Sequence, residues 1–181
     1  MMKKIALIFV FGLFAHSCAK VPLTGRSQLA IVPSSELQPL VNEEYQKTLK
    51  ANKVLTTTKD GQMVVRVGKK MAASVEKYLQ DNGYGDLAKE MAWEFNLLES
   101  EQVNAWCMPG GKVAFYTGIL PITKDETGLA VVMGHEIAHA VASHARERMS
   151  NGLLLNFGVG ALSSAMGQNP TLTQQIFLQS V

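Results

Sequence analysis

Only two cysteines, Cys18 and Cys107, stand in 181 residues, too few for a disulfide framework. Basic residues are hardly in excess, with 17 Lys and Arg against 15 Asp and Glu. Lys3 and Lys4 belong to a leader expected to be removed, which leaves the two signs equal at 15. Aromatic residues make up 7% of the chain, and none is interleaved with a basic run. A near-neutral chain of this kind lacks the concentrated positive surface that nucleic acids require, so nucleic acid is excluded as a partner. No unbroken apolar run reaches the roughly 20 residues of a bilayer span. No internal repeat is present, and beyond Arg148 no charged residue occurs up to Val181. The length corresponds to one domain, large enough to bury a core.

What is present begins with an address. In "MMKKIALIFVFGLFAHSC" a short basic start precedes an almost purely apolar stretch, 5–15. Eleven helical residues reach only about 16 Å, roughly half a bilayer core, so 1–17 reads as a signal peptide. Ala15, His16 and Ser17 supply a small-x-small pattern before Cys18. A cysteine there resembles the bacterial lipoprotein signal, in which it becomes the lipidated first residue and anchors the chain to a membrane. Ala15 stands where those signals usually carry Leu; ordinary secretion with cleavage at the same bond is the other reading. With Cys18 acylated, Cys107 is left alone, and its apolar neighbours mark it as a small core residue.

The stretch 18–33, "CAKVPLTGRSQLAIVP", has Pro22, Gly25 and Pro33 and no helical period, and reads as a lipidated tether to a domain over 34–181. Ser34 or Ser35 is expected to cap a helix to about Ala51, with Leu37, Leu40, Val41, Tyr45 and Leu49 on its apolar face. A second helix follows Asp60, carrying Val64, Val67, Met71, Val75 and Tyr78, and "DNG" at 81–83 stops it. The period then changes to two. "AWEFNLL" (92–98), "VNAWCM" (103–108) and "KVAFYTG" (112–118) read as strands of a small antiparallel sheet, the last two joined by a turn at "PGG" (109–111). Thr123 and Glu126 form a possible capping box for a long helix over 125–148. The uncharged segment 152–167 reads as a buried or cleft-covering helix; a membrane hairpin is the other reading.

"GHEIAH" (134–139) lies within that long helix. His135 and His139 are one turn apart and about 40° round the axis, the spacing two imidazoles need to grip one zinc ion. Glu136 stands beside the metal, placed to take a proton from the attacking water as general base. A zinc site needs a third protein ligand. Position 145, where one class of such enzymes has its third His, is Ala145. His144, on an unbroken helix, falls on the opposite face from His135, so it is expected to pack or to hydrogen-bond. Glu147 lies about 12 Å beyond His139 along the axis, too far to ligate. No Asp or Glu follows it.

"NAWCMPGGKVAFYTGIL" (104–120) and "LAVVMGHEIAHAVASHARER" (129–148) closely resemble the HtpX and CAAX-prenyl-protease family of zinc metallopeptidases, metallopeptidase family forty-eight. "VPLTGRSQLAIVP" (21–33) is similar to its secreted bacterial lipoprotein branch. The resemblance implies an α+β, gluzincin-like domain, mostly helical, with the small sheet beside the HExxH helix. It implies one Zn2+ ion held by His135 and His139, with Glu136 as catalytic acid/base. It also implies a cleft-edge strand, Asn104, Ala105, Trp106, Cys107 and Met108, that pairs with extended or unfolded polypeptide substrates. The family's third ligand is a Glu in an E-x-x-x-D motif on a later helix, and 1–181 ends before any such motif, as a fragment or a truncated product with an incomplete site would. Gly128 is a second departure, because related sequences usually carry an acidic residue there.

The expected protein is a zinc metalloendopeptidase, lipid-anchored on the periplasmic side of a bacterial envelope, in the outer membrane in preference to the inner, acting on misfolded or misassembled envelope proteins. Two rivals remain: a chaperone-like peptide-binding lipoprotein with an incomplete metal site, and a structural lipoprotein that retains no zinc.

Overall fold

The computed structural model describes residues 18–157 and 174–177. The leader 1–17, the side chain of Cys18 and the part of the uncharged segment over 158–167 lie outside the described residues.

Helix α1 spans Ser34–Ala51, and its apolar spacing buries Leu37, Val41 and Tyr45 completely. The expected serine cap is absent, because Ser34 is already helical and Pro33 occupies the cap in an extended conformation. The Pro33 carbonyl instead accepts from the N–H groups of Glu36 and Leu37. Helix α2 spans Lys59–Asp81; the Thr58 hydroxyl accepts from the Gly61 N–H at 3.1 Å. It stops at Gly83, whose φ of 82° only glycine adopts without strain. Val64 and Val67 enter the core as expected. Met71 and Val75 pack partly buried against that core and, with Tyr78, line an apolar groove beside Leu23 and the HExxH helix, while Gly68, Ala72 and Leu79 are more deeply buried. A six-residue helix α3, Gly85–Glu90, follows.

Strands β3 (Glu94–Leu98), β4 (Ala105–Met108) and β5 (Lys112–Tyr116) form a sheet in the order β3-β5-β4. The two N-terminal strands, β1 (Cys18–Lys20) and β2 (Ser27–Leu29), pair separately. The larger sheet is mixed, which corrects the antiparallel expectation. β4 and β5 are antiparallel because the turn at 109–111 joins them directly, with Gly110 at φ 77° and Gly111 at φ 84°. The loop 99–104 then carries the chain past the position β5 will fill, so β5 inserts beside β3 in parallel.

Register sorts the two faces. Phe95, Leu97, Ala105, Val113 and Phe115 turn toward α2 and the HExxH helix. On the other face Tyr45 packs edge-on against Trp106 at 5.9 Å, and its hydroxyl accepts from Asn96 Nδ2 at 2.8 Å. The alternation in "AWEFNLL" thus records one buried face and one that meets α1. A 3-10 turn, Thr117–Ile119, and a one-turn helix α4, Leu120–Thr123, lead to helix α5, Glu126–Val141. Its cap is Asp125, whose carboxylate accepts from the Gly128 N–H at 2.9 Å. Thr123 does not form the expected capping box; its hydroxyl is bonded to the Leu120 carbonyl within α4.

The expected unbroken helix over 125–148 is two helices. Ala142 ends α5, Ser143 adopts φ 56°, and α6, His144–Phe157, begins at the next residue. Neither Pro nor Gly marks the break.

The stretch 18–33 is extended, as expected, but docked. β1 and β2 form a hairpin, Val21 and Val32 are buried, and the strap is fastened to α6. Arg146 Nε donates to the Val32 carbonyl at 2.6 Å, and the Ser150 hydroxyl accepts from the Ile31 N–H at 3.1 Å. A second core forms beneath it from Val32, Leu37, Val41, Tyr45, Met149, Leu153 and Phe177. Among the described residues no helix is long and apolar enough to cross a membrane.

Candidate active site

Met133 and Ile137, two residues before and after His135, lie about 200° round α5 and are fully buried against α2 and the sheet. The packing that seats α5 therefore turns His135 outward, where it is exposed, with His139 half-buried one turn on. Glu136 sits on the flank between these two faces and is half-buried.

The two imidazoles present the same nitrogen to each other. His135 Nε2 and His139 Nε2 are 3.1 Å apart, with the rings edge to face. Two nitrogens bound about 2.0–2.1 Å from one tetrahedral zinc lie about 3.3 Å apart. The pair thus fits zinc within a few tenths of an ångström. Among the described residues no group of three or more His, Cys, Asp or Glu side chains is placed to hold a metal ion.

His144 lies against this pair. Its Nδ1 is 2.7 Å from His139 Nδ1, so the break at Ser143 brings onto the ligand a histidine that an unbroken helix places on the far face. Burial, then the neighbouring His139, lower the His144 pKa and favour the neutral ring. Glu147, too distant to ligate on the sequence geometry, is paired with Arg26 at 2.6 Å.

Glu136 opens into a cavity of about 410 Å³ lined by Asn104, Ala105, Trp106, Cys107 and Met108. Among the described residues β4 is an edge strand of the sheet, with no strand partner on one side of its backbone. The Asn104 side chain caps the Ala105 N–H at 2.9 Å. Cys107 shares the sheet face that meets α5; burial, with the Glu136 charge as a smaller cause, pushes its thiol well above the ordinary range. It is a protonated, half-buried thiol, as the sequence reading of a packing residue requires.

Three further residues line the cavity that sequence reasoning passed over: Thr48, Tyr116 and Arg148. Thr48 lies on α1, and nothing in its spacing signals the cleft. Tyr116 ends β5, and its hydroxyl accepts from Trp106 Nε1 at 3.4 Å, a pairing that the hairpin register alone allows one to anticipate. Arg148 reaches the cavity only because α6 turns away from the axis of α5.

Comparison with known proteins bears on this arrangement. The family model described as peptidase family M48 matches residues 66–179. A mitochondrial metalloendopeptidase OMA1 of Bos taurus is 34% identical over 152 residues, covering 83% of this chain and 28% of its own length. The Homo sapiens counterpart is 29% identical over 151 residues with the same coverage. A beta-barrel assembly-enhancing protease of Yersinia pestis is 33% identical over 57 residues, 32% of this chain and 12% of its own. The chain thus spans little more than a quarter of the length of the OMA1 relatives. No solved structure matches it.

Proposed function

The chain belongs to peptidase family M48, and from that membership we propose that it carries the HExxH site of a zinc-dependent metalloendopeptidase. The observation that carries this reading is the pairing of His135 and His139 through Nε2 at 3.1 Å, with Glu136 one residue away in the cavity bounded by β4.

His135 and His139 would hold the ion, which supplies Lewis-acid polarisation of the scissile carbonyl and acidifies water. Glu136 takes the proton from the attacking water and returns it to the leaving amine, a role open to a carboxylate seated between the histidine face and the cleft. The edge of β4 orients an extended substrate by pairing with its backbone, and the cavity beneath Trp106 and Tyr116 receives a side chain. Extended, unfolded segments are the substrates such an edge accepts, because a folded strand has its own partners.

The envelope role is a further step. The leader and Cys18 pattern supports a bacterial lipoprotein anchored on the periplasmic side, and the similarity to a beta-barrel assembly-enhancing protease supports proteins of the envelope as substrates. We place the chain with the secreted lipoprotein branch on the same ground.

The test uses the full-length protein with an unfolded polypeptide. Glu136→Gln should abolish cleavage while peptide binding persists, and a chelator should abolish cleavage by the parent. Peptide binding without cleavage by the parent would favour the chaperone-like alternative.

A further inference from the structure

We propose that His144 is a positioning residue for the metal site: it accepts the Nδ1 proton of His139 and so holds that imidazole with Nε2 turned toward His135. The inference rests on the metal-site reading above.

The geometry fixes the proton assignment. His139 faces His135 through Nε2 at 3.1 Å and His144 through Nδ1 at 2.7 Å. A neutral imidazole carries one proton, and a nitrogen that binds a metal cannot carry it. With Nε2 given to the metal, the proton of His139 must sit on Nδ1. It then points at His144 Nδ1, which must be the acceptor, with the His144 proton on Nε2. A metal-ligating histidine commonly donates its second N–H in this way, usually to a carboxylate, carbonyl or water, and the bond fixes both tautomer and ring orientation. Here a second imidazole takes the acceptor's place.

His144 is held by more than its own rotamer. The left-handed turn at Ser143 swings the first turn of α6 back over His139. That turn is fastened to the strap: Arg146 donates to the carbonyls of Val32 and Ala30, and Glu147 takes both Nη groups of Arg26. The ring is therefore fixed from the residues that follow it, independently of any metal.

The experiment is zinc titration of the metal-free full-length protein against a chromophoric chelator, for the parent, His144→Ala and His144→Asn. Removing a partner of this kind typically weakens metal binding 10–100-fold, and that loss is expected for His144→Ala. Asn places an acceptor oxygen near the position of Nδ1, so His144→Asn should recover most of the affinity. Nitrogen-15 spectra of the zinc-loaded parent should show scalar coupling between His139 Nδ1 and His144 Nδ1 across the hydrogen bond, a signature that a role in packing alone does not produce. Parent-like affinity in His144→Ala, equal losses in both variants, or no coupling between the two Nδ1 atoms overturns the inference while leaving the metal site standing. A parent that takes up no zinc overturns both.

Discussion

Arg26 and Glu147, 121 residues apart, form a two-pronged ion pair, Nη1 to Oε1 at 2.7 Å and Nη2 to Oε2 at 2.6 Å, that fastens the N-terminal strap to the first turn of α6. Its hydrogen bond to Arg26 holds the Glu147 carboxyl below the usual glutamate value. A carboxyl lowered on folding stabilises the docked strap above its unfolded pKa, and that contribution is lost as pH falls through the folded value. Hydrogen-exchange protection of 18–33 should therefore drop on acidification below the ordinary glutamate range. In Glu147→Gln this step should vanish, leaving protection uniformly lower.

Arg146 is the stronger fastening. It is half-buried and serves two carbonyls, those of Val32 and Ala30. Arg146→Ala strands both acceptors, at about 1–3 kcal/mol for each that water cannot reach. Chemical denaturation should show a loss in that range, against a much smaller one for Arg26→Ala, whose pair is exposed to solvent.

The parts of this fold that were legible in the sequence are those set by local period and turn chemistry. The spacing of Leu37, Val41 and Tyr45 marks α1, the alternation of Trp93, Phe95 and Leu97 marks β3, and "PGG" marks the hairpin. HExxH marks the two histidines because one helical turn is all their pairing requires. What could not be read depends on contacts between distant residues. β3 is parallel to β5 only because the loop 99–104 skips a place in the sheet. The strap looks like a linker because its anchors, Arg146, Glu147 and Ser150, lie more than a hundred residues away. The helix break falls at Ala142 and Ser143, neither a residue that ends helices by itself, so the geometry of an unbroken helix puts His144 on the wrong face.

Ser143 holds a φ of 56°, which costs an ordinary residue about 1 kcal/mol and glycine nothing. Ser143→Gly should leave the break in place and raise thermal stability slightly, or leave it unchanged once the added freedom of the unfolded chain is counted. Ser143→Pro demands φ near −65° and cannot keep the turn. It should lower the melting temperature and separate His144 from His139. An unaltered melting temperature in Ser143→Pro would show that the break is not needed.

Gly128 illustrates a case in which a usual stabilisation reverses sign. Replacing a helical glycine by alanine normally gains about 0.5–1 kcal/mol. Here a Cβ would run into the Thr123 carbonyl, which the turn through Lys124, at φ 64°, folds back onto the first turn of α5. Backbone cannot give way as a side-chain tip can, so steric cost wins. Gly128→Ala should be less stable than the parent in thermal melts, and a rise in stability would show that the turn at 123–125 relaxes readily.

Tyr45 ties α1 to the sheet behind the cleft. Its hydroxyl accepts from Asn96 and faces the Val113 carbonyl, and burial raises its pKa to about 12. In an alkaline titration followed at the phenolate absorbance, one tyrosine should ionise about two units later than a model phenol, and that late step should be missing from Tyr45→Phe. The same substitution leaves the Asn96 amide without its acceptor, at about 1–3 kcal/mol. Because the Tyr45 ring also packs on Trp106 of the cleft strand, Tyr45→Ala, which removes the ring, should lower peptide affinity beyond the loss seen in Tyr45→Phe. Equal affinity in Tyr45→Ala and Tyr45→Phe would show that the ring does not shape the cleft.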